Sequence, residues 1–470
     1  MPTPDAIVVG SGPNGLSAAI VLARAGLKVQ VYEAESTIGG GARSAELTLP
    51  GFIHDLCSSI HPFAFCSPFF RQLPLEQHGL RWIHPPAAVA HPLDNGVALL
   101  ENSIESTAKG LGQDAASYTR LMNDPLNLLA HVLENGLTSV VRSPFGLTRS
   151  GLHALRSASA LVESGFRTEK ARALLAGLTG HSMLPFHKAD TAGIVLALAS
   201  AAHIGGWPFP EGGAQKISDA LASYLLSLGG EIEPNHRVRD LRECEAKVVM
   251  LDVVPKHLLA MAGDRLPRMY SSVLRNYRYG EGAFKVDWAL SDPVPWRSSE
   301  VARSATFHIG GTYEEIKLAE REPYFGRVAE KPFIIAAQHT LYDPRRAPAG
   351  KHTLWGYCHV PNGSTINMLD RMERQIERFA PGFRDTILAR HVSTPRDLEA
   401  LNANIVGGDI SGGAQDLPQL LVRPSVRYWS TPLKNVYLCS ASTPPGAGVH
   451  GMCGYFAATI ALRRSLGIIG

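Results

Sequence analysis

Gly10-Ser11-Gly12-Pro13-Asn14-Gly15 stands where an apolar run, Ala6-Ile7-Val8-Val9, gives way to a helical pattern from Leu16 to Ala25. Glycines at this spacing, between a buried strand and a helix, form a dinucleotide cradle. Gly10 lets the chain turn, Gly12 lets the backbone approach a diphosphate, and Gly15 lets helix and strand pack closely. Pro13 and Asn14 open the helix, whose unpaired N–H groups would face the phosphates. A second apolar strand, Lys28 to Tyr32, ends at Glu33 and Ala34. A carboxylate at Glu33 would accept hydrogen bonds from an adenosine ribose and repel a 2′-phosphate, which disfavours NADP.

A second glycine cluster follows, Gly39-Gly40-Gly41, then Ala42-Arg43-Ser44. It would wrap another stretch of a long cofactor, for which a nicotinamide enzyme has no evident need. Near the end, the strand-like Asn435 to Cys439 leads through Ser440 to Gly446-Ala447-Gly448-Val449-His450-Gly451, and a helix follows from Gly454 to about Leu466. A helix N-terminus at Gly448–Gly451 would supply the positive potential that a reduced flavin needs. The cofactor expected from these pieces is FAD.

Three residues are candidate catalytic acids or bases: His450 in that turn, His61 after the first cofactor segment, and Asp409 between two glycine pairs. The plainer alternatives are a hydrogen-bonded structural role for each histidine and a turn-forming role for Asp409. In Thr353-Leu354-Trp355-Gly356-Tyr357-Cys358-His359, alternation puts Trp355, Tyr357 and His359 on one face. They would form an aromatic substrate wall or packed sheet core.

The elements that must position these residues divide the chain in two. The expected fold is α/β: a discontinuous Rossmann-like FAD-binding domain from 1–75, 205–265 and 415–470, and an α+β substrate domain from 76–204 and 266–414. The first part of the substrate domain reads as helical at Ala115 to Val141, Leu152 to Ser164, Glu169 to Leu178 and Thr191 to His203, and would form a cap. Its second part reads as strands of a mixed sheet at Ala283–Leu290, Ala305–Ile309, Phe333–Thr340 and His352–His359. Sheet and cap would enclose an apolar cavity.

Composition narrows the function. The 470 residues carry 45 Lys+Arg and 42 Asp+Glu, a net charge of +3 with no long basic run, which argues against nucleic acid as a partner. Six cysteines, at 57, 66, 244, 358, 439 and 453, form no CxxC pair, so no metal site or redox disulfide is expected. Reduced thiols and the absence of a basic leader in Met1–Asp5 fit a cytoplasmic protein. Thr191 to Trp207 is too short to span a membrane, which leaves peripheral contact at most.

The chain resembles the phytoene-dehydrogenase-related flavoproteins, within the class of amine oxidases and carotenoid desaturases. Carrying the resemblance are Val8-Val9-Gly10-Ser11-Gly12-Pro13-Asn14-Gly15-Leu16, Ile38-Gly39-Gly40, Leu49-Pro50-Gly51-Phe52, and Tyr437-Leu438-Cys439 before the Pro-Gly turn. Phe209-Pro210-Glu211-Gly212-Gly213 resembles the family's middle FAD segment. The resemblance implies noncovalent FAD, a backbone contact from Val238 to the adenine, and Asp409 near the flavin's outer face. It departs at Gly41, where relatives often place Arg; here Arg43 comes two residues later.

The expected activity is FAD-dependent removal of a hydride and a proton from a small, largely apolar substrate, desaturase-type, with oxygen or a quinone reoxidising the flavin. The alternatives are a flavin-dependent isomerase, an amine oxidase, and a non-catalytic flavoprotein that binds a partner.

Overall fold

The computed structural model describes residues 3–123, 129, 133 and 149–468. In chain order its strands are β1 (Ala6–Val9), β2 (Val29–Tyr32), β3 (Ser44–Glu46), β4 (Ile53–Asp55), β5 (Trp82–Ile83), β6 (Ala87–Leu93), β7 (Gly96–Glu101) and β8 (Phe209–Pro210). They continue as β9 (Glu231–Glu233), β10 (Val248–Leu251), β11 (Gly282–Leu290), β12 (Thr306–Ile309), β13 (Ile334–Ala337), β14 (His352–Val360), β15 (Ile387–Ser393) and β16 (Val436–Leu438).

The first sheet has the order β16-β10-β1-β2-β9 and is parallel throughout. Every residue of β1 and β10 is buried, as a parallel sheet covered on both faces requires. Val8, Val31 and Met250 pack against the helices Pro13–Arg24, Gln215–Ser227 and Met452–Ser465. Ile7, Val9, Val249 and Leu251 face the other way, toward Leu258 and Met261 of the helix Pro255–Ala262.

The second sheet has the order β15-β11-β14-β13-β12-β6-β7 and is antiparallel except where β12 meets β6. Strict alternation along β11 decides what each face does. Phe284, Val286, Trp288 and Leu290 pack with Met372, Ile376 and Phe379 of the helix Leu369–Phe379. Ala283 turns the opposite way, joining Trp355, Tyr357 and Ile335 beneath the cap helices Glu169–Gly180 and Thr191–Gly205.

Several expectations shift. The helical first part of the substrate half is preceded by a hairpin, β6 and β7, where Leu93 pairs with Gly96. The run Leu152 to Ser164 splits into Arg149–Ala154 and Ala158–Gly165 because the Ser157 side chain caps the second helix at Ala160 N. The strand expected over Phe333–Thr340 stops at Ala337, and His339–Leu341 form a 3-10 turn. Of Ala115 to Val141, Ala115–Met122 is helical and most of the remainder lies outside the described residues. Among the described residues no helix is long and apolar enough to cross a membrane.

Candidate active site

A single cavity of about 730 Å³ starts at the carboxyl ends of the parallel strands and reaches the inner face of the second sheet. Gly10, Gly12, Pro13, Asn14, Glu33, Ala34, Gly40, Gly41, Val238, Ser440, Gly448 and Val449 all line it. Gly15, Gly39 and Gly446 stand behind this lining. A Cβ on Gly15 would lie 2.0 Å from the Gly10 carbonyl oxygen, which is the helix–strand approach expected of the third glycine. Gly39 N donates to Ser11 O at 3.1 Å and ties the second glycine cluster to the first.

The helix Pro13–Arg24 begins at Gly12 with no side-chain cap. Asn14 Oδ1 is buried there without a partner. A bare helix start, an orphaned amide oxygen and glycines in close approach fit a dinucleotide. Glu33 is tied first to the protein: Ser11 N and Oγ donate to Oε2 at 2.9 and 2.5 Å, and Glu35 N to Oε1 at 2.9 Å. Farther along, Tyr32 and His236 stack at 3.9 Å between centroids, with His236 near Val238 in sequence and all three on the same cavity. Arg43 is buried on the lining, and its N–H groups go to Gly40 O, Thr37 Oγ1 and Leu401 O.

At the other end, Trp355 and Tyr357 line the cavity with their rings 5.2 Å apart. Cys57, Phe63, Leu198, Trp207 and Ile335 complete an apolar chamber. His359 shares their face but stands outside the lining, with Nδ1 at 2.6 Å from Glu320 Oε2. Burial works against charge on His359, but Glu320 outweighs it and holds the pKa above its ordinary value. His359 therefore anchors the wall from behind.

The three candidate acid–base residues fare differently. His61 lines the cavity; its Nε2 meets Ser58 Oγ at 3.2 Å, and its Nδ1 is buried without a partner. Burial pushes its pKa down to about 4, so the ring is neutral at pH 7. Asp409 also lines the cavity, but Oδ2 accepts from Gly280 N at 2.9 Å and Oδ1 from Ser411 N at 2.7 Å. Those bonds hold its carboxyl to the loop backbone. His450 lies outside the lining and is 2% exposed. Its Nδ1 accepts from Met452 N at 3.0 Å, and burial pushes its pKa down to about 4. That bond ties His450 Nδ1 to the start of the C-terminal helix.

Two residues went unnoticed in the sequence. Lys285 is buried on the cavity wall, opposite Tyr357 in register, and its ammonium pairs with Asp287. Burial resists charge on Asp287, yet Lys285 keeps its pKa below the ordinary value. His54 and His391 flank the same carboxylate at 3.6 and 3.8 Å. The available signal was two charged residues, two apart, in an otherwise apolar nine-residue strand. The second is Asp252, just past β10, whose Oδ2 accepts from Gly15 N at 2.9 Å. No local pattern announces it, because its partner lies 237 residues away.

Comparison with known proteins agrees with this geometry. The NAD(P)-binding Rossmann-like domain family matches residues 8–73. The chain is 24% identical to pyridine nucleotide-disulfide oxidoreductase domain-containing protein 2 of Rattus norvegicus, over 98% of this chain and 94% of that one. It is 24% identical to the lycopene-forming phytoene desaturase of Pseudescherichia vulneris, over 97% and 98%. Identity to 4,4'-diapolycopen-4-al dehydrogenase of Metabacillus indicus is 23%, over 94% and 93%. An oxidoreductase from Methanosarcina mazei superposes with a TM-score of 0.66 at 15% identity, over 98% of this chain and 100% of that one. Putrescine oxidase bound to putrescine gives 0.64 at 17%, over 99% and 98%. The two structures share the fold, and the sequence matches run nearly end to end: the chain is an oxidoreductase whose homologues include a phytoene desaturase and a diapolycopenal dehydrogenase.

Proposed function

We propose that the protein holds FAD along this cavity and removes a hydride and a proton from a largely apolar substrate, in a desaturase-type oxidation. The observation that carries the reading is the continuity of one cavity from the glycine loop to the chamber of Cys57, Phe63, Trp207, Ile335, Trp355 and Tyr357. Gly10, Gly12, Gly40, Gly41, Ser440, Gly448 and Val449 would hold the cofactor, which supplies the hydride-accepting chemistry when bound. Trp355 and Tyr357 would hold the substrate flat and exclude water. Lys285, fixed by Asp287, and neutral His61 are two groups on the wall able to hold or pass a proton. Oxygen or a quinone would take the electrons onward.

The test is the visible spectrum of the purified protein, then an anaerobic dithionite titration with readmission of air or a quinone. A flavin band that bleaches and returns supports the reading, and a protein that is colourless and takes up no added FAD overturns it. With a substrate in hand, product lighter by two hydrogens identifies desaturation, whereas unchanged mass identifies isomerisation.

A further inference from the structure

Asp252 occupies a place where a carboxylate is out of keeping with the ligand expected. Its Oδ2 takes the N–H of Gly15, an amide in the first turn of the helix Pro13–Arg24, where a diphosphate would otherwise find its donors. A Cβ on Gly12 would fall 2.8 Å from the same oxygen, so the carboxyl lies against the residue whose bareness admits the diphosphate. The backbone fixes it there: Asp252 N donates to Val9 O at 2.8 Å, and Asp252 O accepts from Asn404 Nδ2 at 2.9 Å. Among the described residues no cation is paired with it. Glu33 adds a second carboxylate to the same cradle.

An ionised Asp252 would set a negative charge against a dianionic ligand in a poorly hydrated cleft, where like charges repel strongly. A protonated one has an O–H to donate and keeps its acceptor for Gly15. We propose that Asp252 is a cofactor ligand acting as a neutral carboxylic acid, which donates its O–H to the diphosphate of the bound dinucleotide, so that binding takes up one proton. The inference rests on the dinucleotide reading above. Burial, reinforced by Glu33, already pushes the Asp252 pKa up to about 7 in the free protein, which makes the proton available under ordinary conditions.

Other groups face the same space. Glu33 comes from the end of β2, His257 from the helix Pro255–Ala262, His236 from the loop after β9, and Arg43 from the second glycine cluster. Cys439 and Cys453 approach from beneath, and burial holds both thiols neutral by raising their pKa. A histidine gaining a proton on binding would give the same sign of pH dependence, so the carboxyl variant has to separate the two.

The experiment is calorimetric titration of the apoprotein with FAD from pH 6 to 9, in buffers of different ionisation enthalpy. Wild type, Asp252→Asn and Asp252→Ala are compared, with circular dichroism as the check on folding. Above about pH 8 wild type should take up close to one proton per FAD, its Kd weakening about tenfold per pH unit. Asp252→Asn, which keeps an acceptor and a donor, should bind with a flat profile and no uptake. Asp252→Ala should be equally flat and weaker throughout, and it serves if the amide variant does not fold. A flat wild-type profile, or an unchanged slope in both variants, overturns the proposal alone. A folded wild type that binds no FAD at any pH overturns the flavin reading, and this inference with it.

Discussion

Gly454 rests on the backbone carbonyl of Asn14, so closely that a Cβ on Gly454 would lie 1.9 Å from that oxygen. This contact sets the C-terminal helix against the first turn of the helix that opens the dinucleotide cradle. The oxygen belongs to backbone and has no room to retreat. Gly454→Ala should therefore cost about 1–3 kcal/mol as overpacking. It should lower the thermal midpoint and weaken FAD retention together. A variant with unchanged melting and flavin content would show that the two helices part without cost.

Lys285 and Asp287 are buried together within one strand. Removing the ammonium alone leaves a buried carboxylate without its ion-pair partner, which costs about 3–5 kcal/mol. Lys285→Met should show that loss in urea unfolding, and Lys285→Met/Asp287→Leu should recover most of it. If the double variant is no more stable than the single one, the pair is not what fixes Lys285 on the wall.

Acid should unfold the protein in two stages. Burial pushes His54 and His61 down to about 4 and His339 to about 3, whereas an unfolded histidine titrates near ~6.5. The unfolded chain thus binds more protons than the native one from pH ~6.5 down to those values, and stability falls as pH drops through that window. Burial opposes the charge on Asp55, but Arg346 overcomes it and holds the carboxyl well below its ordinary value. Its contribution is present above an unfolded pKa of ~3.9 and is lost only at lower pH. Urea midpoints at pH 7.5, 5.5 and 4.5 check the first stage. His339→Gln should lessen that slope by about one proton, or ~1.4 kcal/mol per pH unit.

Two buried tryptophans should respond unequally to loss of the indole N–H. Trp288 Nε1 donates to Glu373 Oε1 at 3.0 Å, whereas Trp355 Nε1 is buried without a partner. Trp288→Phe removes a hydrogen bond to a carboxylate that keeps Arg390, whereas Trp355→Phe removes an unpaired donor, so the first should destabilise by about 1–3 kcal/mol more. Equal losses in thermal unfolding would mean that lost ring volume decides both.

What the sequence disclosed followed from how local each feature is. Gly10 to Glu33 was legible because strand, turn, helix and strand follow in one stretch, each with its own periodicity. Trp355 and Tyr357 were legible because a strand's alternation puts them on one face, although alternation was silent on where the lining would stop, so His359 was included. Asp252 and Asp55 gain their meaning from Gly15 and Arg346, each hundreds of residues distant. His450 stands in the glycine turn, but its bond to Met452 N and its place outside the cavity lining follow from the fold and not from local sequence. The hairpin of β6 and β7 was signalled by Asp94-Asn95-Gly96 between two apolar runs, but the helical periodicity that begins at Ala115 dominated that half.

The parallel sheet draws β1 from residue 6, β10 from residue 248 and β16 from residue 436. A ribosome making this chain therefore releases the glycine loop long before it releases the strand and helix that close the cradle. Contacts across such separations form slowly, and the nascent protein must keep its apolar first strand from wrong partners meanwhile. If the proposed flavin reading holds, the cofactor can be seated only after Val436 and the helix beyond it are made, and a chain truncated before Val436 should retain none.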